Sequence, residues 1–180
     1  LKSGNSEPQG VLYDALWNPD FASAMLRILA HGAHMRPRSG KIAAVPTPAF
    51  RQLLDSIGDL KPRVVKTEQS NTSVIFGDRF IMKLFRRIDG GPNPDFELGR
   101  FLTEKSEFQN AAPVLSALEF RGRDSQPMTL AILHRYLPNQ GDAWNLTLDA
   151  VERYFEDVVS RPGRRAPSIP AKSIAELASA

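Results

Sequence analysis

The 180-residue chain contains no cysteine, which excludes disulfides and thiolate metal sites. It has no run of about 18 or more apolar residues, the length a membrane-spanning helix requires. Its N-terminus has no charged stretch followed by an apolar one, so nothing reads as a signal peptide. Charge of either sign is nearly balanced: 23 Lys and Arg stand against 20 Asp and Glu, a net +3. That small excess does not point to nucleic acid or a membrane as a partner. What remains is an ordinary globular composition, 42% hydrophobic and 24% charged. The expected location is cytoplasmic. The chain starts at Leu1 rather than Met and reads as a fragment of something longer, or as a chain whose start is disordered.

Hydrophobic periodicity gives an α+β order of elements. Residues 1–10 are polar and rich in turn formers, and read as a linker. From Val11 to Ala30 the pattern is helical, with Phe21, Ala24, Met25, Ile28 and Leu29 on one face, Asn18 as N-cap and Pro19 at the first helical position. HGAHMRPRSG (31–40) is a basic turn region, followed by a short strand and a short helix over 41–54, with a boundary at Lys61-Pro62. RVVKTE (63–68) has strand character. SVIF and RFIMKLF flank Gly77-Asp78, the pattern of a two-residue hairpin. Asn93, Pro94, Asp95 and Glu97 mark a helix start, with the end near Lys105. Two further strands are expected at 113–122 and 128–137, and a last helix from near Trp144, with a linker after Arg161.

The hairpin carries one lysine, Lys83, within an apolar run. A two-residue turn would set Phe76 opposite Arg79 and Thr72 opposite Lys83. Lys83 would then lie beneath Gln69–Ser73, whose hydroxyls, amides and backbone N–H groups can donate to phosphate oxygens. Glu97, Phe101 and Glu104 share a helix face, so Glu97 or Glu104 could reach the lysine if that face packs on the hairpin. A covering loop, a strand lysine and a helix glutamate together form the nucleotide-binding arrangement of a kinase-like small lobe. The plainer reading of a lone strand lysine is a guard against pairing on an edge strand.

Three stretches, EQSNTSVIFGDRFIMKLFRRI, GPNPDFELGRFLTE and LPNQGDAW…TLDAVERYFE, closely resemble the maltokinases of the trehalose–glycogen pathway, especially the form fused behind a trehalose synthase. GVLYDALWNPDFASAMLRIL resembles the entry into the kinase part of that fusion, and the resemblance runs from about Gly10 to about Asp157. It implies an aminoglycoside-phosphotransferase-like kinase that transfers the γ-phosphate of ATP to maltose, giving maltose 1-phosphate, with Mg²⁺. It assigns Lys83 to phosphate contact, Glu97 (with Glu104 second) to orienting that lysine, and Ser70, Asn71, Thr72 and Ser73 to the loop over the phosphates. That loop has no glycine. The hinge beside adenine is expected from His134 to Leu137, including Tyr136.

The implied organisation is a linker (1–10), a cap subdomain (11–62), a kinase-like small lobe (63–137), and a hinge exit, helix and linker (138–180). Kinases of this type place the base and the metal-binding Asp in a second lobe, in motifs such as H-G-D. None of the three histidines, His31, His34 and His134, is followed by Gly-Asp. The expectation is therefore an N-terminal, nucleotide-binding part that is inactive alone. The competing expectation is a non-catalytic module that docks on the fused synthase.

Other candidates have blander readings. His31 and His34 suit a helix end or turn rather than a metal. Arg36, Arg38 and Lys41 suit a solvated turn, with phosphate or nucleic-acid contact as the lesser alternative, and Arg161, Arg164 and Arg165 suit a solvated linker. Trp17 and Trp144 are expected as core anchors, with Trp144 also a candidate wall of the sugar or nucleotide pocket.

Overall fold

The computed structural model describes residues 10–53, 57–58, 60–65, 71–123 and 125–160. The chain falls into two compact units, Leu1–Pro138 and Asn139–Ala180.

The first unit is built on an antiparallel sheet of seven strands: β1 (His34–Met35), β2 (Gly40–Pro46), β3 (Pro62–Val65), β4 (Asn71–Phe76), β5 (Phe80–Phe85), β6 (Val114–Gly122) and β7 (Met128–Arg135). Their spatial order is β1-β2-β6-β7-β5-β4-β3. Among the described residues three α-helices accompany it: α1 (Pro19–His31), α2 (Pro48–Arg51) and α3 (Pro94–Lys105). The architecture is α+β. β2, from the stretch expected to form a cap, pairs along its length with β6, so residues of 11–62 and 63–137 share one sheet.

The helix signals form as written. Asn18 Oδ1 accepts from the Asp20 N–H and Pro19 opens α1, while Gly32, at φ 64°, closes it in the left-handed conformation. Asn93 Oδ1 accepts from the Phe96 N–H at 3.2 Å and Pro94 opens α3. The buried stripe of α1 is Ala22, Met25, Leu26, Leu29 and Ala30, rotated from the expected face so that Phe21 is exposed. Trp17 is exposed rather than a core anchor.

Alternation along the strands gives the sheet two unlike faces. On one face Val74, Phe76, Phe80, Met82, Leu118, Ala131 and Leu133 pack with Met25, Leu26 and Leu29 of α1 and Phe50 of α2. Phe50 meets Phe80 edge-on, ring centroids 5.5 Å apart. On the other face a smaller cluster joins Val114, Ala117 and Ile132 to Phe96 of α3.

The second unit holds α4 (Ala143–Ser160). Asp142 Oδ1 accepts from the Asn145 N–H at 2.8 Å and caps it. Its apolar residues Trp144, Leu148, Val151, Tyr154, Phe155 and Val158 are exposed, so Trp144 anchors no core among the described residues of this unit. Among the described residues no helix is long and apolar enough to cross a membrane.

Candidate functional site

Gly77 sits at φ 58° and Asp78 is not left-handed. A type I′ turn needs φ above zero at both central residues, so the expected two-residue turn does not form. Three residues, Gly77–Arg79, link the strands, and Phe76 pairs with Phe80. The register is therefore one residue from the expected one. Ser73, not Thr72, faces Lys83, and Thr72 faces Leu84 on the opposite side of the sheet. A one-residue slip inverts every facing relation, and here it decides which hydroxyl accompanies the lysine.

β5 lies between β4 and β7. Lys83 is thus on an interior strand, and the edge-guard reading of it falls away. Its side chain projects from the α3 face, with Ser73 across one ladder and Ile132 across the other. His134, paired with Ile81, is its diagonal neighbour on that face.

The lysine has a carboxylate partner, and it is Asp95. Lys83 Nζ donates to Asp95 Oδ2 at 2.8 Å, and the same ammonium lies 5.3 Å from the centroid of the Phe85 ring. The expected partners, Glu97 and Glu104, are not used. Glu104 accepts from Arg100 Nε at 3.1 Å, and Glu97 lines a separate cleft with Arg100, Phe101 and Glu104. The reason is the rotation of α3. Phe96, Gly99 and Thr103, spaced i, i+3, i+7, face the sheet, where Thr103 Oγ1 donates to the Gly99 carbonyl at 2.7 Å and accepts from the Val114 N–H at 2.9 Å. A Cβ on Gly99 would come within 2.6 Å of a Val114 methyl, so only glycine lets the helix lie this close. This seating aims Asp95, in the first turn, at the lysine. The face of Glu97, Phe101 and Glu104 is turned away from it, with Phe101 exposed.

The remaining expected residues scatter. Ser70 lies outside the described residues. Asn71, Thr72 and Ser73 are not a covering loop but paired residues of β4. Asn71 and Ser73 share the face of Lys83, and Ser73 is buried. Thr72 is buried on the other side, its Oγ1 accepting from Arg86 Nε at 3.1 Å. The expected hinge is largely bonded within the chain: the Arg135 N–H donates to the Pro113 carbonyl and the Tyr136 N–H to the Arg79 carbonyl. Neither N–H is open to an adenine. The sugar-pocket role considered for Trp144 concerns the second unit alone, where its ring is exposed.

His134 feels the ion pair. Burial pushes its pKa below the ordinary 6.5, and the Lys83 charge pushes the same way, while the Ala112 carbonyl near Nδ1 and the Asp95 charge oppose them. The site thus offers one oriented ammonium, a buried hydroxyl and an imidazole held toward neutrality on a half-covered sheet face. The ammonium can receive anionic oxygen. Among the described residues no group of three or more His, Cys, Asp or Glu could hold a metal ion, and the nearby Asp95 is engaged by Lys83.

Asp95 as partner, and Gly99 and Thr103 as the seat of the helix, were missed in the sequence. A glycine inside a helical pattern was the available signal for close packing. No protein-family model matches the chain.

Proposed function

We propose that the chain is the N-terminal, nucleotide-binding part of a maltokinase that transfers the γ-phosphate of ATP to maltose, its Lys83 contacting the phosphates. The observation that supports this is the Lys83–Asp95 pair. An interior-strand ammonium, one-third exposed, is held at 2.8 Å by a carboxylate from the helix across the sheet face. Phosphoryl transfer depends on positioning and charge compensation. A point charge fixed by a neighbouring carboxylate serves both, with Asp95 in the orienting role that the resemblance gives to a glutamate. When bound, ATP would bring the transferable phosphoryl group. Lys83 would donate to its phosphate oxygens, and Asp95 would hold the amine in place. The resemblance puts the base for the sugar hydroxyl and the metal carboxylate in a second lobe, so the 180-residue chain should not turn over maltose alone.

The test is ATP titration of the 180-residue chain, followed through backbone amide signals. Perturbation at Ser73, Lys83 and Asp95, weakened at least about tenfold in Lys83→Ala (the scale of one lost charged hydrogen bond), is the expected result. Silence at millimolar ATP, with measurable affinity for a trehalose synthase domain, would replace this reading with the docking module.

A further inference from the structure

The chain's slight positive excess is not spread evenly. Arg36, Arg38 and Lys41, from the β1–β2 turn and the start of β2, line a single open cleft of about 510 Å³ with Arg121 and Arg123 from the end of β6. The register of β2 on β6 creates it, with Gly40 opposite Gly122 and Lys41 opposite Arg121. A Cβ on Gly40 would come within 2.3 Å of the Arg121 carbonyl oxygen, so bare backbone forms the floor and the long cationic side chains form the rim.

Like charges directly opposite on paired strands are destabilising, yet Lys41 and Arg121 stand in that relation. Glu119, buried beside them, accepts from Arg121 Nη2 at 3.0 Å and turns that guanidinium. Asp124 lies outside the described residues. Among those described, the cleft sets five cations against one carboxylate, in a chain whose whole excess is +3. β2 and β6 are separated from the strand of Lys83 by β7, so this is a different place from the ion-pair site.

We propose that this cleft binds a small, soluble anion carrying several phosphate groups. A multivalent anion relieves the mutual repulsion of the rim, and guanidinium groups match phosphate oxygens in pairs. The lining residues include no aromatic ring on which a base could stack and no large apolar side chain to enter a lipid surface. The cleft therefore suits phosphate groups rather than a nucleic-acid strand or a membrane.

The test is calorimetric titration of the 180-residue chain with tripolyphosphate, orthophosphate and a single-stranded oligonucleotide of mixed sequence. It is carried out in a Lys83→Ala background, so that binding at the ion-pair site does not contribute. Tripolyphosphate should bind at least about tenfold more tightly than orthophosphate, and affinity should fall with added salt. Arg38→Ala and Arg123→Ala, both at exposed positions, should each weaken it about tenfold, the effect of one lost charge-assisted contact. Unchanged far-UV spectra and thermal midpoints would establish that these variants are folded. Binding indifferent to both arginines overturns the proposal. So does equal affinity for orthophosphate, which would mean an unselective ion site, and so does tighter binding of the oligonucleotide, which would make the cleft a nucleic-acid surface.

Discussion

The two faces of the sheet are built to different standards. The face under α1 and α2 is sealed by a continuous apolar cluster in which Leu29, Phe50, Val74, Phe76, Met82 and Leu133 are fully buried. The face under α3 has a small cluster centred on Val114, Ala117 and Ile132, and beside it stand a lysine, a histidine and a buried serine. The sealed face can tolerate no unpaired charge, because desolvating an ion costs several kcal/mol. The α3 face keeps its ammonium one-third exposed and paired, so the charge survives at small cost. One side of the sheet thus carries the stability, which leaves the other free to carry chemistry.

The strongest way to break this comparison is to damage the sealed face. Phe80 is buried against the edge of Phe50. Phe80→Ala should lower unfolding free energy by about 3–5 kcal/mol, the range for emptying an aromatic site that cannot collapse. Denaturant unfolding measures it. A loss below about 1 kcal/mol would show that the two faces do not differ as argued.

The second perturbation separates α3 from the sheet. Thr103 bridges helix and strand, donating to the Gly99 carbonyl and accepting from the Val114 N–H. Thr103→Val keeps the shape and strands the Val114 N–H in a buried position, which should cost about 1–3 kcal/mol. Hydrogen exchange at Val114 should accelerate in the variant, whereas exchange in α1 should change only by the global loss. Equal local acceleration in α1 would mean that the faces are not independently supported.

The sequence carried the elements better than the site. Helix α3 was legible to the residue because Asn93-Pro94 and the acidic first turn leave few alternatives. The strands of the hairpin were legible from their alternation. Their register was not, because it depended on whether Asp78 would take a left-handed conformation, which a Gly-Asp pair does not dictate. The partner of Lys83 was misread for a related reason. The spacing of Glu97, Phe101 and Glu104 defines a face but not which face turns inward, and the close approach at Gly99 settled that instead. The basic cleft was only half visible, since Arg121 and Arg123 join Arg36, Arg38 and Lys41 through a strand pairing that links residues about 80 apart in sequence.

The third perturbation is pH. The folded-state pKa of His134 lies below 6.5, mainly through burial. As pH falls through the unfolded value, the unfolded chain takes up a proton first and stability declines. The contribution is fully present above the unfolded value and is lost as pH falls through 6.5 toward the folded pKa. His134→Gln should flatten this part of the stability profile between pH 7.5 and 5, by a smaller amount than either substitution above. A profile of wild-type slope in the variant would assign the dependence to other groups.

The smallest expected effect on stability is the most informative about function. Lys83 and Asp95 look like a structural ion pair, but their side chains are 32% and 54% exposed. Pairs that open to water contribute about 0–1 kcal/mol, so Lys83→Ala should leave the denaturation midpoint nearly unchanged. The substitution should still be felt within the site. The Lys83 charge lowers the pKa of His134, and the Asp95 charge raises it. Removing the ammonium leaves the carboxylate unopposed, so the imidazole should titrate at higher pH than in the wild type, as followed by the ring carbon-bound protons. Lys83→Arg, which restores the charge, should return the titration toward its original position. A large loss of stability in Lys83→Ala would make the pair a structural clamp and remove the ground for a phosphate-binding role. A nearly intact midpoint with a displaced His134 titration would instead mark an ammonium that the fold does not need, held on an interior strand where an apolar residue would pack as well.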